Sequence, residues 1–292
     1  MSASSPQQAA WLPKLVIAPS FVLSLLFIYG LMAWNGYLSL SASRLLPNYE
    51  FVGLQHYGAL LESDRFHVAM TNMAVFGFCF IGGAMALGVL LAILLDQKVR
   101  GEGVLRTIYL YPMAISFIVT GTAWKWILNP GLGLQHLLHS WGFTDFQFEW
   151  LVDQDMAIYC VVIAGVWQSA GFVMALFLAA LRGIDDSIIK AAQVDGASLP
   201  RIYWRIILPS LGPVFFSTLM VVSHLAIKSF DLVMALTAGG PGYATDLPAT
   251  FMYATAFTRG QIGVGAASAT VMLATVAAIV VPYLYSELRS KR

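Results

Sequence analysis

The sequence predicts an all-α membrane protein of six transmembrane helices. Three features carry that expectation: too little charge for a water-facing surface, six long apolar segments, and a lopsided placement of the basic residues between them. Of 292 residues, 59% are hydrophobic and 11% charged, against about 25% charged in soluble domains; mean hydropathy is +0.74. So few charges cannot cover a surface in water, but they suit hydrocarbon. A formal net charge of +1 argues against a nucleic-acid partner, because no basic surplus exists to neutralise phosphates.

The first apolar segment, near 15–40, follows Lys14 and ends before Ser41-Ala42-Ser43, which resembles a signal-peptide cleavage site. Its length exceeds the roughly 7–15 apolar residues of a secretory leader and reaches the ~20 that cross a bilayer, so it reads as an anchor. The second, near 70–95, holds Gly82-Gly83, Gly88 and many alanines, a composition that lets helices approach closely. The third, near 107–128, carries Trp124 and Trp126 toward its outer end, as interfacial belt residues or as flat platforms for a ligand. The fourth, near 157–181, places Trp167, Gln168, Ser169 and Phe172 at mid-depth. The fifth, near 212–236, has Lys228 and Asp231 three apart, on one helix face and within reach of each other. They either brace the helix end or meet a cargo. The sixth lies near 264–286. Cys79 and Cys160 sit in apolar runs and read as packing residues; His224 reads as a packed or hydrogen-bonded helix residue.

Basic residues in the connections set orientation. Lys14, Lys98, Arg100, Arg106, Arg182, Lys190, Arg201, Arg205, Arg289, Lys291 and Arg292 fall on one side, eleven in all, against Arg44, Arg65 and Arg259 on the other. Both termini, including the segment 1–14, are therefore expected in the cytoplasm. The outward stretch 129–156 has no Lys or Arg but is rich in Trp, Phe and acids. It serves either as an interfacial belt or as a surface that also receives an extracytoplasmic partner.

The connection 182–209 is the most informative. Asp185 or Asp186 is placed to cap a short helix running toward Val194. Gly196 supplies a turn where positive φ is cheap, Ser198 caps a second helix with Pro200 in its first turn, and Pro209 ends the element. A bare link between spans needs only a few residues, so a structured excursion of nearly thirty points either to a docking surface or to an amphipathic helix resting on lipid headgroups.

Within it, Lys190-Ala191-Ala192-Gln193-Val194-Asp195-Gly196-Ala197, followed by Arg201-Ile-Tyr-Trp-Arg-Ile-Ile-Leu-Pro209, resembles the signature of ABC importer permeases. That pattern runs Glu-Ala-Ala-x-x-Asp-Gly-Ala, then an aromatic, basic and aliphatic stretch ending in Leu-Pro. Lys190 departs from it where the family has Glu, which loses or reverses any ion pair made there. Lys228-Ser-Phe-Asp231 through Gly239-Gly240-Pro241, with Tyr253 and Phe257 beyond, is similar to the carbohydrate type, specifically the maltose first-permease side.

The resemblance implies a type I importer permease in a bacterial inner membrane, with 15–292 as one permease domain. Its coupling helix, Lys190, Ala191, Ala192, Asp195, Gly196, Ala197 and Arg201, would enter a cleft of the ATPase, the three alanines keeping it thin. Implied partners are a second homologous permease, an ATPase dimer that binds ATP and Mg, an extracytoplasmic sugar-binding protein, the sugar, and the bilayer. By the resemblance, cargo contacts would fall on Ser169, Phe172, Leu225 and Ser229, with neighbouring family positions at Val222 and Ala226; the residues themselves add Gln168, Lys228 and Asp231 as expected contacts. The outer loop carries Gly239, Gly240 and Pro241. The chain is expected to hold no ATPase site, since none of its six lysines sits in a phosphate-binding Gly-x-x-x-x-Gly-Lys loop; no Ser/His/Asp or HExxH arrangement points to a catalytic site, nothing near His224 suggests a metal, and no cofactor is expected. An ion-coupled secondary transporter would place acids at mid-membrane, and the spans have none. A membrane scaffold leaves 182–209 without a use.

Overall fold

The computed structural model describes residues 6–97 and 99–290; Lys98, Lys291 and Arg292, three of the eleven basic residues that set orientation, lie outside the described residues. In chain order the helices are α1 (Pro6–Ser24), α2 (Leu31–Ser39), α3 (Gln55–Leu61), α4 (Asp64–Asp96), α5 (Glu102–Ala114), α6 (Phe117–Ile127), α7 (Leu134–Ser140), α8 (Ala157–Leu181), α9 (Asp186–Val194), α10 (Leu199–Ile202), α11 (Leu208–Ser210), α12 (Gly212–Ile227), α13 (Phe230–Leu236), α14 (Pro248–Tyr253) and α15 (Ile262–Ser290). Short π-helical turns join α1 to α2, α10 to α11, and follow α14. Among the described residues four helices are long and apolar enough to cross a membrane, or up to six spans if each of two bent pairs is one span.

The chain forms two units: the chain up to Glu62 with Met252–Leu273, and Ser63–Phe251 with the chain from Ala274. In the smaller unit the first span is Lys14–Ser39, and its 18-residue apolar window has no buried residue. Asn35 is its polar tie, donating to the Ala266 carbonyl and the Thr270 hydroxyl of α15 at 3.2 and 3.1 Å. After α2 the chain closes into a polar knot. Ser41 and Ser43 are buried and share a hydrogen bond of 2.8 Å, and the His56 ring meets the Ser41 carbonyl. Of the leader-like Ser41-Ala42-Ser43, Ser41 thus donates to the Leu38 carbonyl at the end of α2 and Ser43 to the Asn48 carbonyl of the following loop.

In the larger unit α8 is the central helix, with 67% of its apolar window buried. It lies along α4, and small residues set the spacing, as expected where helices associate by close packing rather than by exclusion of water. A Cβ on Gly83 would meet Val166 at 2.9 Å, one on Gly88 would strike Val173, and one on Gly171 would strike the Tyr109 carbonyl of α5. Gly82 faces open space, so of the expected glycine contacts Gly83 and Gly88 make theirs.

Two expected spans are broken. The segment 107–128 is not one straight helix: α5 and α6 meet at 102°. Pro112 deprives α5 of a donor, Ile115 turns extended, and the Ser116 hydroxyl caps α6 by accepting from the Val119 N–H. The fifth, 212–236, breaks at Lys228–Ser229, so that α12 ends at Ile227 and α13 starts at Phe230. The Ser229 hydroxyl bonds back to the Leu225 carbonyl at 2.8 Å, competing with the backbone as serine does inside helices.

Candidate functional site

The residues singled out along the chain fall at three places in the larger unit. The first is the element between α8 and α12. Asp185 caps α9, its carboxylate accepting from the Ser187 N–H at 2.8 Å. That bond, with the Ser187 hydroxyl and then Lys190 adding less, holds the Asp185 carboxyl below its ordinary value. The helix stops in a Schellman motif: the Gly196 N–H bonds the Gln193 carbonyl, and the Ala197 N–H bonds the Ala192 carbonyl, each at 3.0 Å. Gly196 sits at φ +79°, the left-handed region where a side chain is strained.

Ala192, 8% exposed, faces the core of its own unit, and Ala197 packs against that core. These two alanines are therefore turned to the unit's own core rather than outward. The outward face of the element carries Lys190, Ala191, Asp195 and Arg201, all exposed. Its apolar members are Ile188, Val194 (88% exposed) and Trp204 (76% exposed).

The inner side of this element is tied down by a network that sequence reasoning missed. The Tyr203 hydroxyl donates to Asp96 Oδ2 at 2.5 Å and accepts from Gln97 Nε2 at 2.7 Å. Burial, and then the Asp96 hydrogen bond, push the Tyr203 phenol up to about 12. Beside it Arg182 Nη2 pairs with Glu102 Oε1 at 2.6 Å. Asp96 is the last residue of α4, where an acid opposes the helix dipole, so it needs such a partner. The only hint in the sequence is that misplacement, since 107 residues separate the bonded pair.

The second place is the expected cargo path. Gln168 is 4% exposed, and its Nε2 donates to the Ile115 carbonyl at 2.7 Å. It thereby satisfies the acceptor freed by the α5–α6 bend, while its Oε1 is buried without a hydrogen-bond partner. Ser169 and Ser229 are buried, Phe172 and Leu225 half-buried. Lys228 and Asp231 are exposed and stand on opposite sides of the break between α12 and α13. The pairing expected from a continuous helix does not form: among the described residues the ion pairs are Arg182–Glu102 and Arg65–Asp246. Trp124 packs edge-on against Trp167, centroids 5.8 Å apart.

The third place is the loop after α13. Gly239, at φ +87°, leads into the cis Gly240–Pro241 bond, and the chain returns through Thr245, whose hydroxyl bonds the Gly240 carbonyl at 2.8 Å. Asp246, 1% exposed, anchors the return. Its Oδ2 accepts from Arg65 Nε at 2.6 Å and its Oδ1 from the Thr250 hydroxyl at 2.5 Å. Asn72 donates to the Tyr243 and Asp246 carbonyls, and the Arg65 guanidinium lies 4.5 Å from the centroid of the Tyr243 ring. The sequence gives Arg65 only a topological role, and Asp246 lies 181 residues away.

Among known proteins, residues 84–290 match the family described as binding-protein-dependent transport system inner membrane component. The chain is 38% identical, over 93% of its length and 94% of the relative's, to a probable ABC transporter permease protein of Pyrococcus horikoshii. It is 36% identical, over 91% of its length and 84% of the relative's, to the xylose/arabinose import permease protein XacH of Haloferax volcanii. In three dimensions it superimposes on a chain of a bacterial ABC transporter involved in the import of the acidic polysaccharide alginate, with TM-score 0.83, 21% identity and 98% of both chains covered.

Proposed function

Because the chain belongs to the family of binding-protein-dependent transport system inner membrane components, we propose that it is one permease subunit of a sugar importer and couples to its ATPase through 185–205. The cargo class is supported by the pentose-import name of a relative 36% identical and by the Lys228–Pro241 segment. In this reading a second homologous permease completes the pathway, two ATPase subunits supply ATP and Mg, and an extracytoplasmic binding protein delivers the sugar. Both termini lie in the cytoplasm, as the basic residues require.

The observation that carries the coupling role is a short capped helix with Ala192 buried in the core and Tyr203 beyond it tied to Asp96 of α4, while Ile188, Val194 and Trp204 face outward. Three large apolar side chains beside Lys190 and Arg201 make a surface suited to a cleft in another protein. Closure of the ATPase dimer would push on this surface, and the Schellman turn and the Tyr203–Asp96 bond would pass the push to α4. That helix has 33 residues, about 50 Å at 1.5 Å per residue, and its first turn holds Arg65. One rod thus joins the coupling element to the loop that carries Gly239, Gly240 and Pro241, and alternation between two packed states is the expected movement. Lys228, Asp231 and the half-buried Phe172 and Leu225 would meet cargo in passing, whereas Gln168 would hold the α5–α6 bend that shapes the path.

The test is co-purification in mild detergent, with ATP hydrolysis and uptake measured after reconstitution. Val194→Asp should leave the spans assembled, release the ATPase and abolish uptake. Retention of the ATPase by that variant would remove the coupling role from this face. Sugar flux on an ion gradient, with no ATPase present, would overturn the importer reading.

A further inference from the structure

The smaller unit carries two arginines that the proposed coupling and cargo path leave unused. Arg44 follows the Ser41–Ser43 knot and Arg259 follows the π-helical turn after α14. The Gly263 N–H donates to the Ser43 carbonyl at 2.9 Å, setting the two segments side by side. Both residues line one open cavity of about 790 Å³, which no acidic residue lines. Neither guanidinium is in an ion pair, the two pairs among the described residues lying elsewhere. Two like charges in one cavity repel each other, and a bound anion relieves that repulsion.

The rim identifies the kind of anion. Leu45, Leu46 and Phe257 line the same cavity and are 74%, 81% and 69% exposed. A small soluble anion would use the guanidiniums but leave three large apolar side chains in water. A phospholipid uses both: its phosphate takes the forked donors that arginine presents, and its acyl chains cover the apolar rim. The location agrees, because α2 ends at Ser39 and α15 begins at Ile262, so the cavity lies where two apolar helices leave the hydrocarbon. A zwitterionic headgroup brings its own cation, whereas two uncompensated arginines favour a lipid with net negative charge.

We propose that Arg44 and Arg259, with Leu45, Leu46 and Phe257, form a binding site for the phosphate headgroup of an anionic phospholipid. The probe is phosphatidylglycerol doped into phosphatidylcholine nanodiscs holding the full-length chain with its accompanying subunits, and native mass spectrometry reads the lipid retained. The wild type should enrich phosphatidylglycerol several-fold over the disc composition. The double variant Arg44→Gln/Arg259→Gln should lose that enrichment with an unchanged melting midpoint, since both side chains are exposed. Leu45→Ser/Leu46→Ser, which keeps both charges, should weaken it.

Equal enrichment in wild type and the glutamine variant would overturn the proposal. So would full displacement of the lipid by inorganic phosphate with no effect of the leucine changes, which assigns the arginines to a soluble anion. Unchanged lipid retention in the glutamine variant with loss of binding-protein recruitment would assign the pair to a protein partner instead.

Discussion

At its Arg65 end, α4 meets a carboxylate with 1% of its side chain exposed; at its Asp96 end it meets a tyrosine through a carboxylate that water still reaches. The first contact is an ion pair with a buried carboxylate, which also accepts from Thr250, under the ring of Tyr243, with Asn72 holding the Asp246 backbone carbonyl. The second is a chain of two hydrogen bonds beside an Arg182–Glu102 pair whose side chains are 42% and 26% exposed. Buried charges are held hard because neither partner can be left alone, whereas half-exposed ones exchange partners with water at small cost. One end of the rod is therefore a fixed bracket and the other a joint that yields. The Gly239–Pro241 loop gains a constant shape, and the coupling element keeps freedom to shift against α4.

The largest effect that tests this contrast is at Asp246. Asp246→Ala leaves the Arg65 guanidinium nearly buried and unpaired, and should cost about 3–5 kcal/mol. The check is the thermal midpoint of the purified chain and its abundance in the membrane. Joint replacement, Arg65→Met with Asp246→Leu, should recover most of that loss, because an apolar pair leaves no stranded charge. If the single variant melts like the wild type, the bracket is no firmer than the joint and the contrast fails.

The second effect is smaller in stability and larger in coupling. Tyr203→Phe removes both hydrogen bonds but leaves Asp96 and Gln97 within reach of water, so about 1 kcal/mol is expected. If the joint transmits motion, the variant should hydrolyse more ATP per sugar imported, while binding-protein recruitment, read at the other end of α4, stays constant. An unchanged ratio of ATP to sugar would reduce Tyr203 to a packing residue.

Gly196 sharpens the same point. A Cβ there meets nothing within 4 Å, so Gly196→Ala strains only the left-handed backbone, by roughly 1 kcal/mol. Its effect should appear as weaker ATPase retention in detergent, with little change in the melting midpoint of the spans.

How much of this was legible in the sequence follows from the distance over which each feature is written. The caps and turn of α9 are local, so Asp185 and Gly196 could be read from one short stretch, Asp185 to Ala197, and the six spans from runs of ~20 apolar residues. The two braces are not local: Tyr203 finds Asp96 and Asp246 finds Arg65 across 107 and 181 residues, and no periodicity records such a meeting. The breaks at Ser116 and Lys228–Ser229 lie between these cases. Pro112, Ser116 and Ser229 were visible, but a serine in an apolar run sits in a continuous helix as readily as at a cap. What decides is the acceptor across the fold. The Ile115 carbonyl is free to leave its helix because Gln168 receives it, which is why a residue that reads as a cargo contact stands as a brace for the bend. Ala192 shows the reverse: its motif position was clear, but the direction it faces depends on how α9 lies on α4 and α8.

The smallest expected effect separates the two ends by pH. Tyr203 is held up to about 12 from 10.0 in the folded chain through a hydroxyl bonded to Asp96, whereas the tyrosine at the Arg65 end, Tyr243, meets the guanidinium with its ring. Below about pH 10 the phenol is protonated whether the chain is folded or not, and its contribution is complete. Between about 10 and about 12 the unfolded chain releases that proton while the folded chain keeps it, so stability falls with rising pH over that window and levels off above it. Other tyrosines and lysines titrate in the same range, so the quantity to measure is the difference in melting midpoint between wild type and Tyr203→Phe as pH rises. That difference should shrink from about pH 10 upward, because the wild type alone carries the cost of holding the phenol neutral. A difference that stays constant would mean that water enters the Tyr203–Asp96 contact and ionises the phenol at its ordinary value, making the joint looser than its hydrogen bonds indicate.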